Sequence, residues 1–373
     1  MLNYPPAWLN LTRDAYVPPE FLPHYLEYVN KTVRRYKDTV AAWEIWNEPN
    51  LERFWDGPME DYYELFDQAV DLINSIDPDL YILGSSLSAA ATGWMPPYLD
   101  TMFSLGIMEH VDAISIHFYN FDPDTLYQGI KQYVVIGEKY GFTGDYLITE
   151  IGNPTSGTQP HMVSMEKLAE NVIKNMVLAS ALEIKTQIWY CTKDSGVFGT
   201  DDRRNSERWF GLMYNNYTWK KAAYAFSLFS GFCSNSTYRP DLIQKLGGIS
   251  STDLMVALYR QEDGTSTLIM WYAPTIYESG TVRVVLDLNE ETDSAFIHNI
   301  YDGTNSTLDS NFVEVGDVPV FITFKVQSTS ASISVYVEES IIAWVLYLSI
   351  FGLFLLSILS AVVLHRQYKP RKI

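Results

Sequence analysis

The stretch Trp43-Glu44-Ile45-Trp46-Asn47-Glu48-Pro49-Asn50 decides the reading of this chain. An apolar run, Val40–Trp46, ends there on a polar segment that carries a glutamate. A second apolar run, Tyr146–Thr149, ends on Glu150-Ile151-Gly152. Outward from these two lie further short apolar runs at Leu2–Tyr4, Leu80–Leu83, Ala113–Phe118 and Gln187–Tyr190. Helical stripes separate them. Phe21, Leu22, Tyr25, Leu26, Val29 and Val33 form one, and Tyr62, Leu65, Phe66, Ala69, Val70 and Ile73 a second. Met165, Leu168, Ala169, Val172, Ile173 and Met176 form a third. These stripes read as core faces. The alternation over the first 230 residues or so is the βα signature of an α/β protein with a parallel sheet.

In a parallel barrel the active site sits at the C-terminal ends of the strands. Glu48 and Glu150 both fall there and are candidates for the carboxylate pair of glycoside hydrolysis. One must be protonated to assist the leaving oxygen, and the other ionised to attack the anomeric carbon. The competing reading is a surface or salt-bridged pair. Glu44, two pleats inward from Glu48, reads as a buried structural carboxylate.

The stretch from Trp43 to Asn50, followed by Phe54-Trp55, resembles the acid/base motif of clan A glycoside hydrolases, most closely family 39. In that clan the acid/base follows the fourth strand and the nucleophile the seventh. Glu48 and Glu150 match those positions. Asp112–Tyr119 is similar to the sixth strand and Ile188-Trp189 to the eighth. The resemblance implies a (β/α)8 TIM-type barrel over residues 1–235, of which this sequence supplies the third to eighth strands. It also implies a native protein that begins upstream of Met1. Asn47 would hydrogen-bond the sugar 2-hydroxyl, and His117 and Tyr119 would orient the nucleophile or the sugar. Trp189 would be the aromatic platform, with Tyr4 and Trp8 lining the cleft. A satisfied core histidine and a buried core tryptophan are the alternatives for His117 and Trp189. The negative charge of Glu150 is expected to raise the pKa of Glu48. No metal or organic cofactor is implied, because two carboxylates suffice.

From about Pro240 the texture changes to short alternating runs: Leu254–Tyr259, Ser266–Tyr272, Thr281–Leu286, Ala295–Ile300 and Val318–Val326. These predict an all-β sandwich over 240–327, followed by a serine-rich linker over 328–340. Residues 341–364 are 24 in a row without a charge. A helix of that length measures ~36 Å, enough to span a bilayer. The tail 365–373 is basic, so by the positive-inside rule it is cytoplasmic and residues 1–340 are outside. Five N-x-S/T sequons, at Asn10, Asn30, Asn216, Asn235 and Asn305, suit that orientation. Cys191 and Cys233 are too few for a disulfide framework or a cysteine-cluster metal site. The formal charge of −19 argues against a nucleic-acid partner. The sequence thus predicts a retaining glycosidase, anchored in the cell membrane by one span, acting on an extracellular oligo- or polysaccharide. An inactive glycan-binding surface module and a truncated gene product are the alternatives.

Overall fold

A computed structural model describes residues 1–5, 15–88, 96–119, 122–157, 162–196, 205–246, 253–272, 280–288, 292 and 294–338. The chain divides into two compact units. The first is Met1–Phe229 with Ile300–Asp302; the second is Ser230–Asn299 with Gly303–Ile373.

The first unit alternates helices and strands. In order they are α1 (Leu22–Tyr36), β1 (Trp43–Glu44), α2 (Met59–Ile76), β2 (Ile82–Ser88), α3 (Pro96–Ser104) and β3 (Ala113–Tyr119). Then come α4 (Pro123–Lys139), β4 (Asp145–Gly152), α5 (Met165–Ala181), β5 (Thr186–Trp189) and α6 (Lys221–Cys233), whose last residues begin the second unit. The strands form one sheet in the order β1-β2-β3-β4-β5, with every pair parallel. Leu2 adds a further position at the open side of β1 through a parallel bridge to Ile45. Strand order that follows chain order, with helices between parallel neighbours, is TIM-type α/β topology. The predicted stripe of α2 is its buried face, and Tyr25, Val29 and Val33 are buried on α1. Among the described residues β5 pairs only with β4, and Ile188 on it is 51% exposed.

Three runs depart from expectation. Val40–Trp46 supplies only a two-residue ladder; beyond it Trp46 and Glu48 take φ of +65° and +45°, which breaks the regular strand although the Glu48 N–H still bonds to β2. Leu2–Tyr4 reduces to the single bridge at Leu2, with Tyr4 at φ +52°. Conversely, β2 runs on to Ser88. Gly84-Ser85-Ser86 has the composition of a turn, yet the strand continues through a register shift between Gly84 and Leu87.

The second unit contains β6 (Thr237–Tyr238), β7 (Ile243–Leu246), β8 (Leu254–Arg260), β9 (Thr265–Tyr272) and β10 (Val282–Asp287). It continues with β11 (Ala295–His298), β12 (Asn305–Thr307), β13 (Phe312–Val315), β14 (Val320–Lys325) and β15 (Ile333–Glu338). They form two sheets, β13-β10-β15-β7 and β12-β11-β14-β9-β8-β6. One apolar cluster draws on both, with Val284, Val315 and Val335 from the first and Leu258, Leu268 and Ile322 from the second. The segment predicted as a linker over 328–340 contains β15, which sits between β10 and β7. Its alternation of Ile333, Val335 and Val337, all buried, lies hidden among serines. The uncharged run 341–364 and the tail 365–373 lie outside the described residues. Among the described residues no helix is long and apolar enough to cross a membrane.

Candidate active site

Four inner-facing elements meet at the C-terminal edge of the sheet. The loop after β1 brings Glu48, β3 brings Ser115, His117 and Tyr119, β4 brings Thr149 and Glu150, and β1 itself brings Glu44. The loop after β1 is fixed at several points. The Glu48 backbone N–H donates to the Ser86 carbonyl at 3.0 Å. The Asn50 amide pairs with both backbone groups of Ser88, each at 3.0 Å, and so imitates a strand neighbour. Behind the loop the buried Trp46 indole donates to the Phe54 carbonyl at 2.9 Å and packs edge-on against Trp55 at 5.1 Å. Tyr4 and Tyr25 pack on the same indole at 5.6 and 5.8 Å. This aromatic cluster gives Phe54-Trp55 its place in the motif.

His117 is the centre of the arrangement and is fully buried. Its Nδ1 lies 3.1 Å from Glu48 Oε1 and 3.7 Å from Glu150 Oε2, while its Nε2 lies 3.8 Å from Glu44 Oε1. The first is a hydrogen bond and the other two are ionic contacts. The facing atoms of Glu48, His117 and Glu150 all lie within 4.8 Å of one another. The Tyr119 hydroxyl donates to Glu150 Oε2. Glu44 Oε1 accepts from the Ser115 hydroxyl and, at 2.9 Å, from that of Thr149. Arg53, on the Glu48 loop, places Nη2 3.5 Å from Glu48 Oε2.

Burial opposes the charge of every group here, and the pairings decide the outcome. Burial lowers the pKa of His117, but Glu44, Glu48 and Glu150 outweigh it and push the imidazole up to about 9. Burial raises Glu48, yet the hydrogen bond and charge of His117, with Ser88 and Arg53, hold it below the usual carboxylate range. Burial raises Glu150, and His117 and Tyr119 only partly offset this and the charges of Glu48 and Glu44, so it stands above that range. The rise of the Glu48 pKa expected from the charge of Glu150 is therefore not found: Glu48 is lowered and Glu150 raised. The cause is that the cation sits closer to Glu48 than to Glu150.

The remaining predicted residues divide. Asn47 is partly exposed beside Glu48, and Tyr4 is 37% exposed at its position. Trp8 lies outside the described residues. Trp189 is buried, and its indole N–H has no acceptor among the described residues. The exposed aromatic at that strand end is Tyr190, edge-on to Tyr119 at 5.8 Å, with Phe210 5.5 Å from Tyr119. Gly152 permits this closure: a Cβ there would stand 2.3 Å from the Tyr190 carbonyl oxygen. Sequence reasoning left out Arg53, Ser115, Thr149 and Tyr190. The pleat alternation would have placed Ser115 on the same face as His117.

A TIM-type sheet with a buried histidine and a carboxylate pair at its strand ends defines the class of site. Residues 25–135 match the family model of glycosyl hydrolases family 39. The family match reaches Glu48 and His117 but stops short of Glu150. A beta-xylosidase of Caldicellulosiruptor saccharolyticus is 36% identical over 100 residues, 26% of this chain and 20% of that protein. One from Geobacillus stearothermophilus is 31% identical over 119 residues, 31% of this chain and 21% of that protein. The chain thus spans about a fifth of the length of the curated relatives it matches. Among solved structures, a monomeric beta-xylosidase from Caulobacter crescentus superposes at TM-score 0.53 and 14% identity, over 84% of this chain and 76% of that one. A glucosidase from Croceicoccus marinus superposes at 0.57 and 14% identity, over 82% and 75%. These likenesses establish the fold.

Proposed function

We propose that this chain carries the catalytic carboxylates of a retaining glycosidase of the family 39 type, acting on β-xylosides or closely related O-glycosides. The observation that carries the reading is the approach of Glu48 and Glu150, within 4.8 Å at their facing atoms, at the ends of two parallel strands. Retaining enzymes hold their carboxyls ~5–5.5 Å apart, whereas inverting enzymes leave ~6.5–9.5 Å for a water. The family match over 25–135 supports the assignment for Glu48 and His117.

Glu150 attacks the anomeric carbon while Glu48 protonates the departing oxygen, and a glycosyl ester forms on Glu150. Glu48 then removes a proton from water, which displaces the sugar with net retention. The Tyr119 hydroxyl holds Glu150 Oε2 and leaves Oε1 for attack. His117 Nδ1, between the two carboxylates, balances their charge as it shifts from one to the other. Asn47 engages the sugar 2-hydroxyl, and Tyr4 and Tyr190 supply the aromatic walls. The uncharged run 341–364 holds the catalytic unit on the outer face of the cell membrane, with 365–373 in the cytoplasm.

The test is trapping with an activated 2-deoxy-2-fluoro-β-xyloside followed by peptide mass spectrometry. A covalent sugar on Glu150 is expected. An adduct on another residue, or an inverted product, refutes the assignment. The depressed pKa of Glu48 favours one rival, a glycan-binding module without turnover. Binding of xylosides with neither adduct nor product would establish that rival.

A further inference from the structure

Arg53 stands at the mouth of the candidate site and is used by none of the steps above. Its side chain is 58% exposed, and its two terminal nitrogens point to different carboxylates. Nη2 is 3.5 Å from Glu48 Oε2, and Nη1 is 3.7 Å from Glu207 Oε1. Both separations exceed a good hydrogen bond; the Glu207 pair is exposed and contributes little, while the buried Glu48 feels Arg53 as a nearby charge. The guanidinium lies over the neighbouring Phe54 ring, 4.5 Å from its centroid. Phe54 is in turn held through its carbonyl by the buried Trp46 indole. Arg53 is therefore a fork that makes no close hydrogen bond to either carboxylate.

Its position defines a side of the site. His117, fully buried, holds Glu48 Oε1, and the half-exposed Arg53 lies beside Oε2 on the solvent side. The surroundings are acidic, with Glu44, Glu48, Glu150 and Glu207 in a chain of net charge −19. An anionic substrate needs a local cation to enter such a field. A guanidinium fork matches a carboxylate in two parallel hydrogen bonds.

We propose that Arg53 forms a subsite for a carboxylate on the leaving-group side of the scissile bond, so that the preferred substrate is a glycoside whose aglycone is a uronic acid or another carboxylate-bearing group. The inference rests on the reading of Glu48 as the acid/base. When the aglycone carboxylate takes the fork, Arg53 withdraws from Glu48 Oε2 and leaves that oxygen to the proton it must deliver.

The experiment compares 3-carboxyphenyl and 3-carbamoylphenyl β-xyloside, which are similar in size and leaving-group acidity, on the full chain. Binding is measured by calorimetry and turnover by phenol release, for the wild type, Arg53→Gln and Arg53→Lys. The readout is the ratio of the two probes. The wild type should favour the carboxylate on the order of 10-fold. Arg53→Gln should bring the ratio to about one, and Arg53→Lys should keep part of it. The wild-type preference should shrink as salt rises. Equal binding of the two probes by the wild type, or a ratio unmoved in Arg53→Gln, overturns the subsite alone. Binding of neither probe overturns the glycosidase reading with it.

Discussion

His117 offers a measurement of charge state that needs no substrate. A histidine that titrates at 6.5 when unfolded is pushed up to about 9 by Glu44, Glu48 and Glu150, against the burial that opposes its charge. At about 1.4 kcal/mol per decade, that rise is worth roughly 3 kcal/mol of folding stability. The folded state binds the proton more tightly, so the contribution is complete below pH 6.5 and disappears as pH passes through about 9. The perturbation is His117→Gln, which keeps a hydrogen-bonding side chain and removes the charge. Urea unfolding, followed by tryptophan fluorescence at several pH values from 6 to 10, gives both curves. Subtracting the variant removes groups that titrate elsewhere, Lys220 and the cysteines among them. The expected difference falls by roughly 3 kcal/mol between the two ends. If the variant is too unstable to purify, the C2-proton shift of His117 in the wild type reports the same midpoint. Parallel stability curves, or a midpoint near 6.5, would show that the imidazole is neutral and that the charge balance argued for the site is wrong.

Three further outcomes follow from the same geometry. Tyr119→Phe removes the hydroxyl that helps lower the Glu150 pKa; the acidic limb of the pH–rate profile should move to higher pH and kcat/KM should fall about 10-fold. Lys220 and Asp194 are fully buried with Nζ and Oδ1 2.7 Å apart; Lys220→Met strands the carboxylate and should cost ~3–5 kcal/mol in urea unfolding, with Asp194→Leu added on top restoring most of it. Glu48, His117 and Glu150 have the donor set of a cation site. Because the His117 Nδ1 proton bridges to Glu48 there, a chelator should leave xyloside turnover unchanged, and a loss reversed by added metal would reassign the three.

The parallel strands were legible because a strand buried on both faces is a plain apolar run. Ala113–Phe118 and Tyr146–Thr149 correspond to β3 and β4 within a few residues. Glu48 and Glu150 were legible for the same reason, as charges that interrupt such runs at their ends. What escaped lacked a period. Arg53 is an exposed arginine in a loop, and only coordinates reveal which carboxylates it faces. Trp189 and Tyr190 are adjacent aromatics, and the sequence does not say which one the pleat turns inward. The relative acidity of the two glutamates depends on differences of less than 1 Å in their distances to His117. β15 was obscured by the serines that precede it, Ser328, Ser330 and Ser332, although Ile333, Val335 and Val337 keep strict alternation.

The left-handed backbone at Trp46 and Glu48 bears on how this protein would respond to selection in the laboratory. A side chain with a Cβ pays roughly 1–2 kcal/mol in that conformation, and glycine does not. Glu48→Gly would release that strain, but it would also unpair His117 from its nearest carboxylate, a contact that holds the Glu48 pKa down and the His117 pKa up and so stabilises the fold at neutral pH. The two effects oppose each other, so a screen that rewards heat resistance alone exerts no consistent pressure to keep Glu48. Directed evolution of this scaffold has to score turnover in every round, because durability by itself does not guard this glutamate.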